Sequence, residues 1–438
     1  MSPPDRTARF VTRALVFGGV LAPLVVLVGF IARHAVNVPF WDQWELVPYL
    51  AKHAAGTLSL GDLWRFRQNE HRLFFPVSIM IALASRTHWD IRFELAVIVL
   101  LAVVLFVVLA RMWRRLNFDA RGLAWELPLL SLFVFSLGQW ENWFWGWQIQ
   151  MLLNIAALST GLALLSGARL GFGRLVVALA LGFVAQFSFS NGVLFWPIGI
   201  AVLLLCHPKA RREMIVFGLA GVASTAAFLS GYPPSLPAQQ SWRVALAHPF
   251  LYGGYVLVYL GAPIGDGRLI WAALLGAGGL GGLVVLLVAL RRRGVALREL
   301  AGFLAVATFA IGSALLTGLG RLGFGVGQAL TSRYVAFATL MWAANLALLS
   351  KYLRSGEPRT ERRGRRVAQA AVVGMAAMLL LSAAGGARLA SRTLAIRKTA
   401  VSALASGRGA GLDLLYPVHA VLVERRAILE KLHLSVFR

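Results

Sequence analysis

Cysteine and acidic side chains are scarce in this sequence of 438 residues. Its single cysteine, Cys206, excludes an intramolecular disulfide and a cysteine-based metal cluster. Only 14% of the residues are charged, whereas soluble domains carry about 25%. This shortage excludes an ordinary soluble domain, and it makes each of the 18 acidic residues a candidate for a specific role.

Apolar residues, in contrast, make up 58% of the chain, and runs of membrane-spanning length recur along it. The sequence therefore predicts an all-α polytopic membrane protein whose first partner is the lipid bilayer. A net charge of +25 would suggest nucleic-acid binding. Here the cations lie in short clusters between apolar runs, which is the positive-inside pattern, so no nucleic-acid partner is expected.

The basic clusters predict the topology. They lie at 6–13, 111–115, 169–174, 209–212, 291–293 and 351–366, and placing them in the cytoplasm leaves the short intervening loops nearly free of Lys and Arg. About eleven spans follow, near 12–32, 93–113, 124–138, 148–167, 175–190, 192–206, 214–231, 268–290, 299–317, 334–350 and 367–386. The first lacks a small-residue cleavage site and reads as a retained anchor. The N-terminus is then cytoplasmic and the C-terminus extracytoplasmic.

Two further apolar stretches, 73–85 and 249–263, are shorter than the about 20 residues that a span requires. We expect both to be interfacial or re-entrant helices on the outer side. The outer face would then carry a long first loop (33–92), a second loop (232–267) and a basic tail (387–438). The glycines of "GAGGLGG" at 276–282 predict close helix packing.

The first outer loop groups four acidic residues with a histidine and an arginine: Asp42, Glu45, Asp62, Glu70, His71 and Arg72. Asp42 and Glu45 are three positions apart, so on a helix they would share a face. In "NEHR" (69–72) an amide, a carboxylate, an imidazole and a guanidinium are consecutive, a set that can bind a polyol, hold a metal or transfer protons. The alternative is a group of interfacial polar residues paired with Arg65 or Arg67.

A tryptophan-rich segment, "LGQWENWFWGWQIQMLLN" (137–154), stands at another predicted outer edge. An aromatic belt at the membrane interface explains its four tryptophans. It explains Glu141, Gln148 and Gln150 less readily. Because tryptophan faces also stack against sugar rings, the segment, including Trp145, is equally a candidate wall of a carbohydrate cleft.

A third segment, "GLGRLGFGVGQALTSRYVAF" (318–337), carries Arg321 and Arg333 in a predicted outer loop. Guanidinium groups suit bidentate phosphate binding. The alternative is a pair of arginines that snorkel at helix ends. The pattern favours a phosphate role for at least one of them.

Together these segments resemble the GT-C superfamily of integral membrane glycosyltransferases, which includes protein mannosyltransferases and aminoarabinose transferases. In "PFWDQW" Asp42 stands at the family's acidic position, and "EHRLFFPVSIMIALA" resembles its His-Arg-Pro segment through His71, Arg72 and Pro76. "THWDIRFELAVIVLL" resembles the approach to the next span, and "SRY" (332–334) resembles a phosphate-binding end. Two departures from the family pattern mark a divergent bacterial branch. Gln43 stands in place of the second acid of the usual pair, and of the family's two adjacent prolines only Pro76 remains.

The resemblance implies a catalytic membrane module at 1–350, and a last cytoplasmic loop, final span and basic tail at 351–438. It also implies transfer of a sugar from a polyprenyl-phosphate carrier to a glycan, lipid or protein acceptor outside the bacterial inner (plasma) membrane. Asp42 would be the base, with Glu70 and His71 positioning it or the sugar, while Arg321 and Arg333 hold the phosphate. The further expected substrate contacts are Glu45, Arg72, Glu141, Trp145, Gln148 and Tyr334.

No cofactor is required by this pattern, although Asp42 and Glu70 could hold a divalent cation. Two other functions fit the sequence. A transporter or flippase for lipid-linked sugars predicts charged residues inside the spans and helices broken at mid-membrane. A non-catalytic membrane scaffold would explain Gln43 as a lost active-site acid. The span centres are largely free of acids, which favours chemistry on one face of the membrane.

Overall fold

The computed structural model describes residues 6–116, 125–232, 241–355, 362–407 and 411–438, and nearly all of them are helical. The first ten helices are α1 (Arg6–His34), α2 (Val47–Ala54), α3 (Leu60–Arg65), α4 (Phe74–Thr87), α5 (Ile91–Leu116), α6 (Glu126–Val134), α7 (Trp140–Phe144), α8 (Ile149–Leu165), α9 (Phe172–Gln186) and α10 (Phe195–Cys206). The next eight are α11 (Arg211–Leu229), α12 (Ser241–Ala247), α13 (Pro249–Gly261), α14 (Leu269–Arg292), α15 (Leu297–Arg321), α16 (Val335–Ser355), α17 (Arg362–Ser406) and α18 (His419–Lys431).

One small hairpin interrupts the helices. Strands β1 (Arg67–Gln68) and β2 (His71–Arg72) pair antiparallel, with Gln68 opposite His71. The two-residue turn between them places Asn69 at a φ of +51°, a left-handed conformation that asparagine tolerates better than most residues. The hairpin therefore presents Glu70 at its tip and fixes the direction of His71.

Eight helices in the described part of the chain are long and apolar enough to cross a membrane: α1, α5, α8, α11, α14, α15, α16 and α17. A ninth crossing would require α12 and α13, which are bent by 113° at His248, to act as one broken span. These lengths and compositions are those of a multi-pass membrane protein. The prediction of many apolar spans is thereby confirmed in its general form.

Helix length alone accounts for eight or nine of the about eleven expected spans. The predicted spans 124–138, 175–190 and 192–206 contain helices of only 9, 15 and 12 residues, namely α6, α9 and α10. Polar turns that contain Ser136 and Ser188 end the apolar helices early. The stretch 73–85 forms the 14-residue α4, which is short as predicted, and 249–263 forms α13 in the bent pair.

The core of the bundle is built around α16. In the most apolar part of α16, 89% of the residues are buried, whereas only 6% are buried in the most apolar part of α1. Helices α6, α13, α14 and α15 pack around α16, while large apolar side chains on α1, α11 and α14 stay exposed. Exposed leucine and valine on peripheral helices are what a lipid environment requires.

Close helix packing is confirmed at Gly276 of the "GAGGLGG" segment, where two backbones meet. A Cβ atom added at Gly276 would lie 1.9 Å from the backbone oxygen of Leu257, and one added at Gly261 would lie 1.8 Å from that of Ala272. Only glycine allows the backbones of α13 and α14 to touch in this way. At Gly278, two residues along the same helix, a Cβ would meet no atom within 4 Å.

The bundle has two chemically distinct ends. At one, the arginine-rich end, Arg115 donates to the carbonyl of Ala163, Arg293 to that of Tyr352, and Lys351 to that of Leu116. A cavity of about 640 Å³ there brings together Arg115, Arg169, Arg174 and Arg298. The opposite end, the site end, carries residues 35–90, the tryptophan-rich segment and the loop between α15 and α16. Described cations from four of the basic clusters, namely Arg115, Arg169, Arg174, Arg293 and Lys351, thus lie at one end.

The C-terminal residues return to the site end and pack on the first loop. Helix α17 has 45 residues, a length of about 68 Å, which is roughly twice the about 30 Å hydrocarbon thickness of a bilayer. Its second half therefore extends past any membrane-spanning part. Beyond it, Arg425 donates to Glu45 at 2.8 Å and Arg438 to Asp90 at 2.9 Å.

The contact between α13 and α14 makes a testable prediction. Gly276→Ala should lower the free energy of unfolding by about 3 kcal/mol, because the methyl group forces two backbones apart. Gly278→Ala is the matched control and should leave stability unchanged or slightly raised, since its methyl group enters open space. Thermal unfolding of the purified protein in detergent measures both. Equal melting temperatures for the two variants would contradict the packing described.

Candidate functional site

A cavity of about 580 Å³ at the site end collects most of the residues that the sequence singles out. They come from segments that are far apart in the chain, yet line one space: Asp42, Glu70, His71, Trp145, Gln148, Arg321, Arg333 and Tyr334. We call this the first cavity. Convergence of one early loop with the ends of α15 and α16 is what a single functional site requires.

Asp42 lies on a 3-10 turn, Trp41–Leu46, that follows α1. Its Oδ1 atom accepts a hydrogen bond of 2.9 Å from the side-chain amide of Gln68 on β1. Burial raises the pKa of Asp42, while the Gln68 bond and the positive charge of Arg333 act in the opposite direction and do not cancel the shift. Asp42 is therefore a carboxylate with raised basicity at the wall of a cavity.

His71 is fixed in its neutral form. Its ring stacks on Phe189 at 4.0 Å, and its Nδ1 atom accepts the backbone N–H of Ser190 at 3.3 Å. The neutral ring then carries its proton on Nε2, which lies 3.6 Å from Glu70 Oε1. Burial lowers the pKa of His71 to about 4, despite the adjacent Glu70. His71 is accordingly a hydrogen-bond donor at neutral pH.

Glu70 joins the hairpin to the end of α15. Its Oε1 atom accepts a hydrogen bond of 2.6 Å from Arg321 Nη2, 251 residues later in the chain. Burial alone would raise the pKa of Glu70, but the adjacent His71 and Arg321 hold it below its ordinary value. Glu70 thus stays ionised and orients the Arg321 guanidinium, which excludes a snorkelling role for that arginine.

Arg333 is held by the tryptophan-rich segment. Glu141 Oε1 accepts from Arg333 Nη1 at 3.1 Å, and Glu141 Oε2 accepts from the Ser332 hydroxyl at 2.8 Å and from the Arg333 N–H at 3.2 Å. The guanidinium lies over the rings of Trp145 and Tyr334. Glu141 therefore acts on the site through Arg333, and Arg333 too is fixed in the interior.

The tryptophans of this segment line the site and do not form a lipid-facing belt. Trp143, Trp145 and Trp147 are each at most 6% exposed. The indole N–H of Trp143 donates to the carbonyl of Ser136, and that of Trp145 to the carbonyl of Phe40. Trp145 and Trp147 line the first cavity. Of the two functions considered for this segment, the geometry favours the ligand wall.

The first cavity combines apolar walls with unpaired polar groups. Its walls include Phe189, Phe228, Leu229, Leu316 and Leu319. Among the described residues, these buried atoms at the cavity have no hydrogen-bond partner: both side-chain polar atoms of Gln148, Gln150 Oε1, Glu70 Oε2 and Asn191 Nδ2. Buried polar groups without partners are costly. A ligand with an apolar part and several hydroxyl groups would satisfy both features.

A second cavity of about 630 Å³ adjoins the first. The two share Asp42, Gln68, Asn69, Trp145, Arg321 and Arg333 in their walls. The second adds Trp140 and Glu141, and it also adds Thr393 and Arg397 from α17. Asp42 thus stands where two spaces meet, and each space could hold one of two reactants.

Two residues expected to contact substrate lie outside both cavities. Glu45 accepts from Arg425 at 2.8 Å and from the hydroxyl of Tyr416, so it anchors the C-terminal residues and does not face a ligand. Arg72 is 3% exposed, lies over the ring of Trp64 and donates to the carbonyl of Ser230. Asp42 and Glu45 therefore do not belong to one site, although their spacing predicts that they share a helix face.

Gln43, the departure from the acidic pair, holds the Asp42 turn in place. It is 1% exposed; its Oε1 accepts the N–H of Phe40 at 3.2 Å and its Nε2 donates to Glu94 Oε2 at 2.6 Å. The other oxygen of Glu94 accepts from the indole of Trp89 at 2.9 Å. A Cβ at Gly146 would lie 1.8 Å from Glu94 Oε2. Gln43 is thus the hydrogen-bond partner of a fully buried carboxyl group on α5.

Arg397 and Glu94 are site residues that the sequence analysis missed. Arg397 has a detectable signal, because it falls in a helical stripe of otherwise apolar buried positions that includes Ala390, Leu394 and Leu404. Glu94 lies in the first turn of a spanning helix, where an acid ordinarily needs no partner. Only the fold reveals that Gln43 and Trp89 converge on it.

The residues present give limited support for a metal. Within the described chain, no three His, Cys, Asp or Glu side chains come together as a metal site would require. Asp42 and Glu70 line the same cavity, but Glu70 Oε1 is engaged by Arg321. The possible divalent cation stays a prediction.

Comparisons of the chain with protein-family models, with curated proteins and with solved structures found no significant match. The interpretation of the two cavities therefore depends on their geometry and on the chemistry of their side chains.

The Gln43–Glu94 bond predicts the effect of placing an acid at position 43. Gln43→Glu should lower stability by about 3–5 kcal/mol, because it places two buried carboxyl groups against each other. The double variant Gln43→Glu/Glu94→Gln is the matched control. It should recover most of the loss, since the exchanged pair can again satisfy Phe40 and Trp89. Thermal unfolding of the three proteins measures this, and a double variant as unstable as the single one would refute it.

The burial of His71 predicts acid sensitivity. As the pH falls, the unfolded chain binds a proton at about 6.5 but the folded one only at about 4, so stability is lost across that window, by about 2–4 kcal/mol. His71→Asn, which keeps an acceptor for the Ser190 N–H, should remove this loss, whereas His53→Asn at an exposed position should retain it. Melting temperatures between pH 4 and 7 test this. Identical pH profiles for wild type and His71→Asn would disprove it.

Proposed function

We propose that this protein is a membrane glycosyltransferase that moves a sugar from a polyprenyl-phosphate carrier to an acceptor. One observation carries the proposal: a carboxylate of raised pKa, Asp42, shares a cavity with two guanidinium groups, Arg321 and Arg333, that come from the ends of spanning helices. A base beside a phosphate site is the minimum that such a transfer needs.

The first cavity suits the donor. Apolar walls from α11 and α15, including Phe228 and Leu316, would take the start of the polyprenyl chain. The unpaired polar atoms of Gln148, Gln150 and Asn191 would bind sugar hydroxyls. The phosphate between these parts would lie against Arg321 and Arg333, whose planar groups can each contact two oxygens. Gln148 and Trp145 thus become sugar contacts in this proposal.

The proposed transfer uses these positions. Asp42 accepts the proton of the acceptor hydroxyl, whose oxygen attacks the anomeric carbon while the bond from that carbon to the phosphate oxygen breaks. The leaving polyprenyl phosphate is already an anion, so no proton donor is needed. Arg321 and Arg333 stabilise the charge that develops on it. Glu70 and neutral His71 keep Arg321 and the hairpin in position.

We infer the orientation of the protein in the membrane from the basic residues at the arginine-rich end. If the arginine-rich end is cytoplasmic, the site end faces outward, where acceptors of the cell envelope are available. Helix α1 runs towards the site end and α17 also ends there, so the N-terminus would be cytoplasmic and the C-terminus extracytoplasmic. A bacterial plasma membrane is the setting in which polyprenyl-phosphate sugars and envelope glycans, lipids or proteins meet.

The proposal predicts that Asp42→Asn lowers the transfer rate by about 10²–10⁴-fold, because the amide cannot accept the proton. Asp62→Asn is the matched control: Asp62 lies in the same loop but outside both cavities, paired with Lys52. It should change the rate little. Membranes containing each variant are supplied with a panel of radiolabelled polyprenyl-phosphate hexoses and pentoses, and release of polyprenyl phosphate is measured.

The pH dependence of the same assay gives a further check. The base must be ionised, so the rate should fall as the pH decreases through the pKa of Asp42, which burial places above its ordinary value. Full transfer by Asp42→Asn would rule out Asp42 as the base. If transfer were absent from every protein but labelled lipid crossed the membrane in an Asp42-dependent way, the protein would be a transporter of lipid-linked sugars.

A further inference from the structure

The second half of α17 inserts a cation into the second cavity. Arg397 is 5% exposed, and its guanidinium lies 3.5 Å from the centre of the Phe40 ring. Its Nη1 atom donates to the carbonyl of Phe144 at 2.8 Å. Thr393, one helical turn earlier, lines the same cavity. A basic residue of the C-terminal segment thus belongs to the site.

Arg397 differs from the other two arginines of this cavity in its partners. Arg321 is paired with Glu70 and Arg333 with Glu141. Within the described part of the chain, no carboxylate lies within salt-bridge distance of Arg397, and its buried Nε atom has no hydrogen-bond partner. Glu141 lines the same cavity, but its oxygens are engaged by Ser332 and Arg333.

One more buried arginine, Arg72, and the partly buried Arg67 lack a carboxylate, but their charge is compensated in another way. Arg67 and Arg72 both donate to the carbonyl of Ser230, just after the C-terminus of α11. Cations are stabilised at a helix C-terminus by the backbone dipoles. Neither residue lines either cavity. Among the described residues, Arg397 is the buried arginine that lines a cavity without a carboxylate at salt-bridge distance; the charge of Glu141, which is paired with Arg333, acts on it only from farther away.

A buried guanidinium without a counter-ion costs several kcal/mol, so its retention beside an open space points to an anion that enters that space. Because Arg321 and Arg333 already serve the donor phosphate in the proposed function, we propose that Arg397 binds a carboxylate group carried by the acceptor, and hence that the acceptor is anionic. That this anion belongs to an acceptor rests on the proposed function, whereas the existence of an anion site at Arg397 does not.

The chemistry of the side chain supports an oxyanion. The carbonyl of Phe144 uses Nη1, so the edge formed by Nε and Nη2 is the one suited to two parallel hydrogen bonds. The Phe40 ring beneath the guanidinium limits its rotation. The Thr393 hydroxyl can add a third donor. A neutral sugar would leave the charge of Arg397 uncompensated.

A binding experiment tests this without turnover. The full-length protein in lipid nanodiscs is titrated at pH 7 with methyl glucuronide and with neutral methyl glucoside, and saturation-transfer NMR gives the two dissociation constants. The wild type should bind the glucuronide at least about tenfold more tightly, the worth of one charge-assisted hydrogen bond. Arg397→Gln should abolish this preference, and Arg397→Lys should retain part of it. Arg392→Gln, an exposed position on the same helix, should keep it in full.

Several results would overturn the proposal. A wild type without preference for the glucuronide would do so, as would an Arg397→Gln variant that keeps the preference. A third titration uses inorganic phosphate: if Arg397→Gln weakened phosphate binding alone, Arg397 would serve the donor phosphate and not an acceptor. Asp42→Asn, which removes a negative charge from the wall of the same cavity, should bind the glucuronide at least as tightly as the wild type. Failure of the transfer reaction and failure of the anion site are therefore distinguishable.

Discussion

The ion pair between Glu70 and Arg321 is the contact on which the site depends. It ties the tip of a two-stranded hairpin to the end of a spanning helix 251 residues later, at 2.6 Å. It is a polar contact through which the first loop meets the end of α15 in the cavity wall. The pair of Glu141 and Arg333 repeats the arrangement for α16. Each guanidinium is thereby oriented before any ligand arrives, which is the condition for electrostatic stabilisation at low reorganisation cost.

Much of this arrangement could be predicted from the sequence. Apolar run length identified the long helices, and the rarity of acids drew attention to Asp42, Glu70 and Glu141, which all line a cavity. The number of spans could not be predicted as well, because hydropathy does not reveal where a turn such as Ser188–Asn191 ends a helix. Glu45 was not recognised as an anchor because its partners, Tyr416 and Arg425, are distant in sequence.

Gln43 shows how a departure from a motif can be explained by packing. In isolation the amide suggests a lost acid. In the fold it forms a buried bond to Glu94, and a carboxylate at position 43 would face another at the same spot. An amide beside a buried acid satisfies both groups, whereas two acids would not. The local chemistry therefore requires one amide and one acid, and leaves Asp42 as the acid that faces the cavity.

The continuity of α17 has a mechanical consequence. The helix is unbroken from the arginine-rich end to the second cavity, and Arg397 lies about 50 Å along it from Arg362. For a rigid helix of that length, a change of tilt by about 2° displaces the far end by about 2 Å. Helices adjust their tilt to the thickness of the bilayer. A change in the tilt of α17 would therefore move Arg397 relative to the other walls of the second cavity.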